Sequence, residues 1–176
     1  MSHSIILNRH VKNMLPSFLE GLILDVACGH GYWGYQMRVE KEGNPTIIGV
    51  DIWKPYIRKI KRFKVYDSLV IADVRFLPFR RRIFNIVLAC EILEHLPKDD
   101  AEKVLREVEM VAKGMIIVST PLGFMEQDVT HGNPYQKHVS AWQPEDLEKN
   151  GYDVHILEGN LPSSFKEIIA YKNVGK

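Results

Sequence analysis

The residues best placed to do chemistry are Leu24-Asp-Val-Ala-Cys-Gly-His-Gly-Tyr-Trp-Gly34 and a second apolar run that stops on Asp51. In the first, an apolar strand ends in a carboxylate, Asp25, then opens into a loop with Gly29 and Gly31 before a helix. Small residues let a backbone approach a ligand closely and take the tight turn of a strand-to-helix crossover. The second run, Thr46-Ile-Ile-Gly-Val50, ends at Asp51, twenty positions past Gly31. There a carboxylate can accept hydrogen bonds from both ribose hydroxyls of an adenosine ligand. The pattern predicts binding of a nucleoside-containing cofactor.

Two cofactors compete for this loop. Gly29-His-Gly31-Tyr-Trp-Gly34 is a G-x-G-x-x-G string, the dinucleotide fingerprint, but short Gly patterns also occur by chance. Asp25 discriminates. A dinucleotide lays its pyrophosphate against a helix N-terminus, whose dipole and free N–H groups welcome anions, and a carboxylate at the mouth of that loop would repel it. S-adenosylmethionine carries no phosphate. Its ammonium group makes a nearby carboxylate an asset.

Asp25-Val-Ala-Cys-Gly29-His-Gly31 resembles the first motif of class I S-adenosylmethionine-dependent methyltransferases, with Ala27 where the first Gly of acidic-x-Gly-x-Gly-x-Gly would stand. Ala27 is expected to hold a negative φ. Leu69-Val-Ile-Ala-Asp73-Val-Arg-Phe-Leu-Pro-Phe79 resembles the third motif, which implies that Asp73 contacts the adenine amino group and the Val74 N–H the ring. Phe84 to Leu96 is similar to the fourth strand and following helix of the "type 11" style of domain. The resemblance covers roughly residues 20 to 120. It implies S-adenosylmethionine as cofactor, S-adenosylhomocysteine as product, and cofactor contacts at Asp25, Ala27, Cys28, Gly29, Gly31, Asp51, Ile52, Trp53, Asp73, Val74 and Cys90.

With 176 residues, 45% hydrophobic and 26% charged, the chain reads as one soluble α/β domain. No apolar run approaches eighteen residues and the N-terminus has no basic-then-apolar leader, so the expected setting is cytoplasmic, without a membrane. Cys28 and Cys90 fit a reducing compartment, and the seven histidines form no Cys/His cluster at zinc spacing, so no metal is expected. The net charge of +1 hides an asymmetry: +7 over residues 1–90 and −6 over 91–176. The basic excess lies in Lys54 to Lys64 and Arg80-Arg81-Arg82, which reads either as a solvated helix face and a charged turn or as a nucleic-acid footprint. Aromatic interleaving there is thin.

Strands and helices alternate. An amphipathic helix over 4–14 and the rest of residues 1–20 are expected to act as a lid. Strands are predicted at 22–26, 46–50, 68–72, 84–89, 115–119, 152–158 and 165–171, the last two antiparallel, with helices at 31–41, 54–64 and 98–113. Gly114 is expected to cap the third of these, and Pro144 to start a short helix. Such alternation implies a doubly wound, mainly parallel sheet with helices on both faces and the ligand beyond the strands' carboxyl ends. The resemblance adds seven strands in the order 3-2-1-4-5-7-6, the last antiparallel.

Acceptor-side groups are sought after the fourth and fifth strands. Glu91 and His138 are the candidate catalytic residues, and Glu94-His95 is expected to brace its helix. The loop from 121 to 143 gathers His131, Asn133, Tyr135, His138 and Trp142 and is the expected acceptor site. The acceptor is expected to be a small molecule, and the assembly a monomer or homodimer. Three alternatives stand beside this reading: an RNA or protein methyltransferase using the basic 54–64 helix, a non-catalytic S-adenosylmethionine-binding module, and an NAD-dependent oxidoreductase, which Asp25 disfavours.

Overall fold

A computed structural model describes residues 5–158 and 166–175. Seven strands form one sheet: β1 (Leu22–Val26), β2 (Thr46–Asp51), β3 (Ser68–Ile71), β4 (Phe84–Cys90), β5 (Ala112–Pro121), β6 (Asp153–Leu157) and β7 (Glu167–Asn173). Their spatial order is β3-β2-β1-β4-β5-β7-β6. The pairings from β3 through β5 are parallel, and β7 runs antiparallel to both β5 and β6. This is the predicted order and direction. The expected turn at Gly159-Asn160-Leu161-Pro162 lies outside the described residues.

The central strands read as unbroken apolar runs because they are buried on both faces. Alternate residues turn to opposite sides. Ile23, Leu88, Ile117 and Ile169 face one core with Leu7 and Val11 of α1 (Ile5–Met14), Trp33 and Met37 of α2 (Tyr32–Glu40), and Ile57 and Ile60 of α3 (Lys54–Ile60). Leu24, Val87, Ile116, Val118 and Ala170 face the other core, against α4 (Lys98–Val111) and Leu147 of α5 (Pro144–Glu148). Helix α4 buries Ala101, Val104, Leu105, Val108 and Val111 along one stripe, at roughly 1.5–3 kcal/mol for each larger side chain.

Two expectations need correction. Helix α4 ends at Val111, its cap Ala112 is already extended, and Gly114 lies inside β5 rather than at a helix end. The glycine serves close strand approach instead: a Cβ there would stand 2.3 Å from the Asn85 carbonyl oxygen. The basic helix is also shorter than expected, since Lys61–Phe63 tighten into a 3-10 turn. In α1, Leu7 and Val11 are fully buried and Lys41 Nζ bonds the carbonyls of Lys12 and Leu15, so the described part of the helix braces the sheet. Among the described residues, no helix is long and apolar enough to cross a membrane.

The chain winds outward through β2 and β3, then returns past β1 to lay down β4. The loops after β1 and β4 therefore part in opposite directions and leave a crevice at the carboxyl edge of the sheet.

Candidate functional site

The loop after β1 follows a left-handed path at several points. Gly29 has φ 51° and Gly31, which precedes α2, has φ 84°. Ala27 has φ 58°, against the expected negative value. The turn out of β1 demands that conformation whichever residue occupies it, and an L-residue there carries about 1–2 kcal/mol of strain. The surroundings hold the loop in place. Cys28 N donates to Val50 O at 2.9 Å and Gly29 N donates to Asp51 Oδ2 at 2.9 Å. Asp51 Oδ1 accepts from Trp53 N at 2.7 Å, so one carboxylate organises the loops after both β1 and β2. Burial pushes this carboxyl above its ordinary range, and the Trp53 and Gly29 N–H groups oppose the rise.

Asp25, buried inside β1, accepts a 2.5 Å hydrogen bond from Tyr66 Oη. Burial raises its carboxyl to about 7, with the Tyr66 bond opposing and the Asp51 charge adding to the rise. Tyr66 Oη in turn accepts from Gly34 N at 3.2 Å. Gly34 is glycine for a packing reason, because a Cβ there would meet the Tyr66 ring at 2.4 Å.

A cleft at the carboxyl edge is lined by Ala27, Asp51, Ile52, Asp73, Val74 and Arg75 on one side and Glu91, Ile92, His95, Asn133, Tyr135 and Gln136 on the other. A larger, mostly apolar cavity of about 610 Å³ adjoins it at Ala27 and includes Cys28 to Trp33, Phe63, Val65 and Cys90. Asp73 is engaged by Arg75, whose Nε and Nη2 both bond its carboxylate, and Arg75 Nη1 reaches Asp100 at 2.7 Å. These bonds hold the Asp73 carboxyl below its ordinary range against the opposing effect of burial.

This donor set decides between cofactors. The Gly29 N–H, which a dinucleotide-binding loop would direct at a phosphate, is spent on Asp51, and Asp25 is close enough to Asp51 for the two acidic groups to feel each other. A pyrophosphate does not fit there. S-adenosylmethionine meets no such conflict: Asp51 has lone pairs that would suit ribose hydroxyls, while Asp25, 1% exposed and bonded to Tyr66, lines neither the cleft nor the cavity.

On the acceptor side, Glu91, the residue after β4, has φ 55°, an uncommon conformation for a non-glycine residue and one that collects at functional sites. Its Oε1 accepts from Ser119 Oγ at 2.8 Å. Burial and the neighbouring Glu167 hold its carboxyl above the ordinary range, and Ser119 opposes them. Glu94 is 2% exposed and its Oε2 accepts from Thr120 Oγ1 at 3.1 Å. The Glu94 carbonyl accepts from Val139 N and Ser140 N, so this residue ties the loop after β5 to the loop after β4. His95 lies 4.8 Å, ring to ring, from His138. Burial and His138 lower its imidazole to about 4, with the Lys137 carbonyl opposing.

Of the cofactor residues read from the sequence, Ala27, Asp51, Ile52, Asp73 and Val74 share the cleft, whereas Cys28, Gly29, Gly31 and Cys90 line the adjoining cavity. Both cysteines are buried, unbridged thiols. Trp53 contributes its N–H to Asp51 and its ring, edge-on, to Tyr135 at 6.1 Å. Of the two catalytic candidates Glu91 lines the cleft, while His138 is buried beside His95. Trp142 departs most from its expected role as an acceptor wall: it is fully buried in the α4 core, with Lys98 Nζ 3.8 Å from its ring centre. His131 is exposed and lies edge-on to His30, and Asn133 caps the short turn Pro134–Gln136. Tyr66, which meets Asp25, and Arg75, which reaches Asp100, carry no sequence signal that distinguishes them, because those partners lie far off in the chain.

The family described as "Methyltransferase domain" matches residues 23–114, just over half of the chain. Protein MJ0638 of Methanocaldococcus jannaschii is 29% identical over 152 residues, 82% of this chain and 61% of that protein. The 27-O-demethylrifamycin SV methyltransferase of Amycolatopsis mediterranei is 27% identical over 178 residues, 94% of this chain and 63% of that protein. The chain thus spans about three fifths of the length of both relatives. In fold it resembles the magnesium protoporphyrin IX methyltransferase of Synechocystis PCC 6803, solved with bound S-adenosylmethionine, at a TM-score of 0.64 and 14% identity over 96% of this chain and 76% of that one. The strand order, the carboxylate-flanked glycine loop and the matched span agree: the chain belongs to the class I methyltransferase domain family, whose cofactor is S-adenosylmethionine.

Proposed function

We propose that this domain transfers the methyl group of S-adenosylmethionine to a small-molecule acceptor in the cytosol. One observation carries the reading: Asp51, Ile52 and Asp73 line the same cleft as Glu91, His95 and Tyr135. A ligand held by the first group would have its far end beside the second. Methyl transfer from a sulfonium is an in-line displacement that dissipates a positive charge. Positioning can therefore supply much of the acceleration, up to about 7–11 kcal/mol. A base is needed only where the nucleophile must lose a proton, and Glu91, fixed by Ser119, is our assignment for it. His138 acts through His95 as a positioning residue. Support for a small acceptor comes from the Amycolatopsis relative, whose name specifies one.

Calorimetric titration with S-adenosylhomocysteine and with NADH tests the cofactor: the first should bind and the second should not. Incubation with cell extract and isotopically labelled cofactor, followed by mass analysis, tests the transfer. Absence of any labelled product would leave a binding module.

A second reading has its own observation. Arg58, Lys59, Lys61, Arg62 and Lys64 are exposed, and none is in an ion pair among the described residues. An RNA acceptor would make binding fall steeply with salt. Fluorescence anisotropy with a labelled RNA at two salt concentrations separates it from the small-molecule reading.

A further inference from the structure

We propose that Glu94, His95 and His138 form a binding site for one divalent transition-metal ion at the edge of the acceptor cleft. One ligand atom from each lies within 4.8 Å of the others. The tautomers follow from the backbone. His95 Nδ1 sits 3.3 Å from the Lys137 carbonyl and His138 Nδ1 sits 2.7 Å from the Met125 carbonyl. A carbonyl only accepts, so each Nδ1 carries the proton and each Nε2 presents a lone pair. Metal-binding histidines are fixed in the same way, with the second ring nitrogen donating to a carbonyl or carboxylate.

A second observation points to a cation. Glu94 Oε1 and His95 Nε2 are both buried and without a hydrogen-bond partner. They face each other across 3.9 Å, with both side chains 3% exposed. Two lone pairs turned toward each other in a buried site repel unless a proton or a cation stands between them, and 3.9 Å is too long for a shared proton. Among the described residues neither Glu91 nor Glu94 pairs with a Lys or Arg, so no side-chain cation fills that role.

Two imidazoles and a carboxylate suit zinc, manganese or iron(II) better than calcium or magnesium. Ligands about 2.0–2.2 Å from a tetrahedral metal lie roughly 3.4 Å apart, so the site contracts by about an ångström on loading. Three protein ligands leave a coordination position open, as in catalytic sites. His95 also lines the cleft beside Glu91. An acceptor oxygen would reach the open position only from the His95 side, since Glu94 and His138 do not line the cleft, an extension that rests on the methyltransferase reading.

The test strips the protein with EDTA and titrates it calorimetrically with zinc chloride, manganese chloride and magnesium chloride, and in parallel with S-adenosylhomocysteine. Zinc or manganese should bind at one equivalent, more tightly than magnesium. His138→Ala and Glu94→Gln should each weaken that binding at least about tenfold while keeping S-adenosylhomocysteine affinity within about threefold. Absence of zinc and manganese binding to the folded wild type, or undiminished binding by folded His138→Ala, overturns the proposal. If the variants do not fold, the visible spectrum of cobalt(II)-loaded wild type decides. Intense four- or five-coordinate bands sustain the site, and the weak spectrum of the hydrated ion overturns it. Metal uptake without S-adenosylhomocysteine binding would sink the methyltransferase reading and leave the metal site standing.

Discussion

Tyr66, in the turn before β3, donates a 2.5 Å hydrogen bond to Asp25 in the middle of the sheet and accepts one from Gly34 at the start of α2. One phenol thus joins the acidic residue of the first motif to the helix that follows it. With its carboxyl raised from 3.8 to about 7, mainly by burial, Asp25 keeps a proton in the folded protein over a range where the unfolded chain has released it. Across that window the native state binds more protons, so the cofactor-free protein loses stability as pH rises. A cofactor ammonium held by Asp25 would prefer the ionised carboxyl, so binding would expel the proton. S-adenosylhomocysteine affinity should climb about tenfold between pH 5.5 and 7.5. Tyr66→Phe removes a bond that favours the ionised form and should move the midpoint upward. Asp25→Asn should flatten the profile. Calorimetry at a series of pH values decides, and a flat wild-type profile would remove Asp25 from the site.

Asp51→Ala should weaken S-adenosylhomocysteine binding more than tenfold and lower the melting temperature as well. The carboxylate accepts from Gly29 N and Trp53 N, and each buried N–H left without a partner costs about 1–3 kcal/mol. Asp51→Asn keeps one acceptor oxygen and should fall between wild type and alanine. Unchanged affinity in the alanine variant contradicts a ribose-binding role.

Ala27→Gly should stabilise the protein. The residue sits at φ 58°, and glycine relieves about 1–2 kcal/mol of strain while giving up part of that in chain entropy. The expected net gain is about 0.5–1 kcal/mol in urea denaturation, with cofactor affinity preserved. A loss of stability would mean that the methyl group packs against the core strongly enough to outweigh its strained backbone.

Tyr135→Ala should leave S-adenosylhomocysteine affinity within about threefold, less than the 1.4 kcal/mol of a tenfold change, and lower kcat/KM for the acceptor. The side chain is half exposed, meets Trp53 edge-on and lines the cleft opposite Asp51. Full turnover in this variant would move the acceptor site off the loop between β5 and α5.

Hydrogen exchange separates a brace from a lid at α1. With Leu7 and Val11 in the core, the helix should be protected without cofactor. A lid role for residues 1–20 predicts that cofactor slows exchange further at its first turn. Identical exchange with and without cofactor leaves α1 a packing element only.

What the residues determined unaided was the frame of the site. Apolar runs of strand length ending at Asp25 and Asp51, glycines after the first, and a 3.6-residue stripe from Ala101 to Val111 are local signals, set by side-chain periodicity and backbone sterics within a few positions. They were enough to order seven strands once joined to the family resemblance. What only the tertiary structure decided were meetings between distant residues. Tyr66 reaches Asp25 across β2 because Gly49, the partner of Asp25 on that strand, has no side chain: a Cβ there would stand 3.1 Å from the Tyr66 ring. His138 comes to Glu94 and His95 because the loop after β5 hydrogen-bonds back onto the Glu94 carbonyl. Trp142, grouped by its sequence position with the acceptor-loop residues, is drawn into the core beside α4, and Ala27 is forced to a positive φ by the path out of β1. A loop's route is chosen by the balance of burial and backbone hydrogen bonding over the whole fold. That balance leaves no periodic mark on the loop's own residues, so it becomes legible only when the chain is packed.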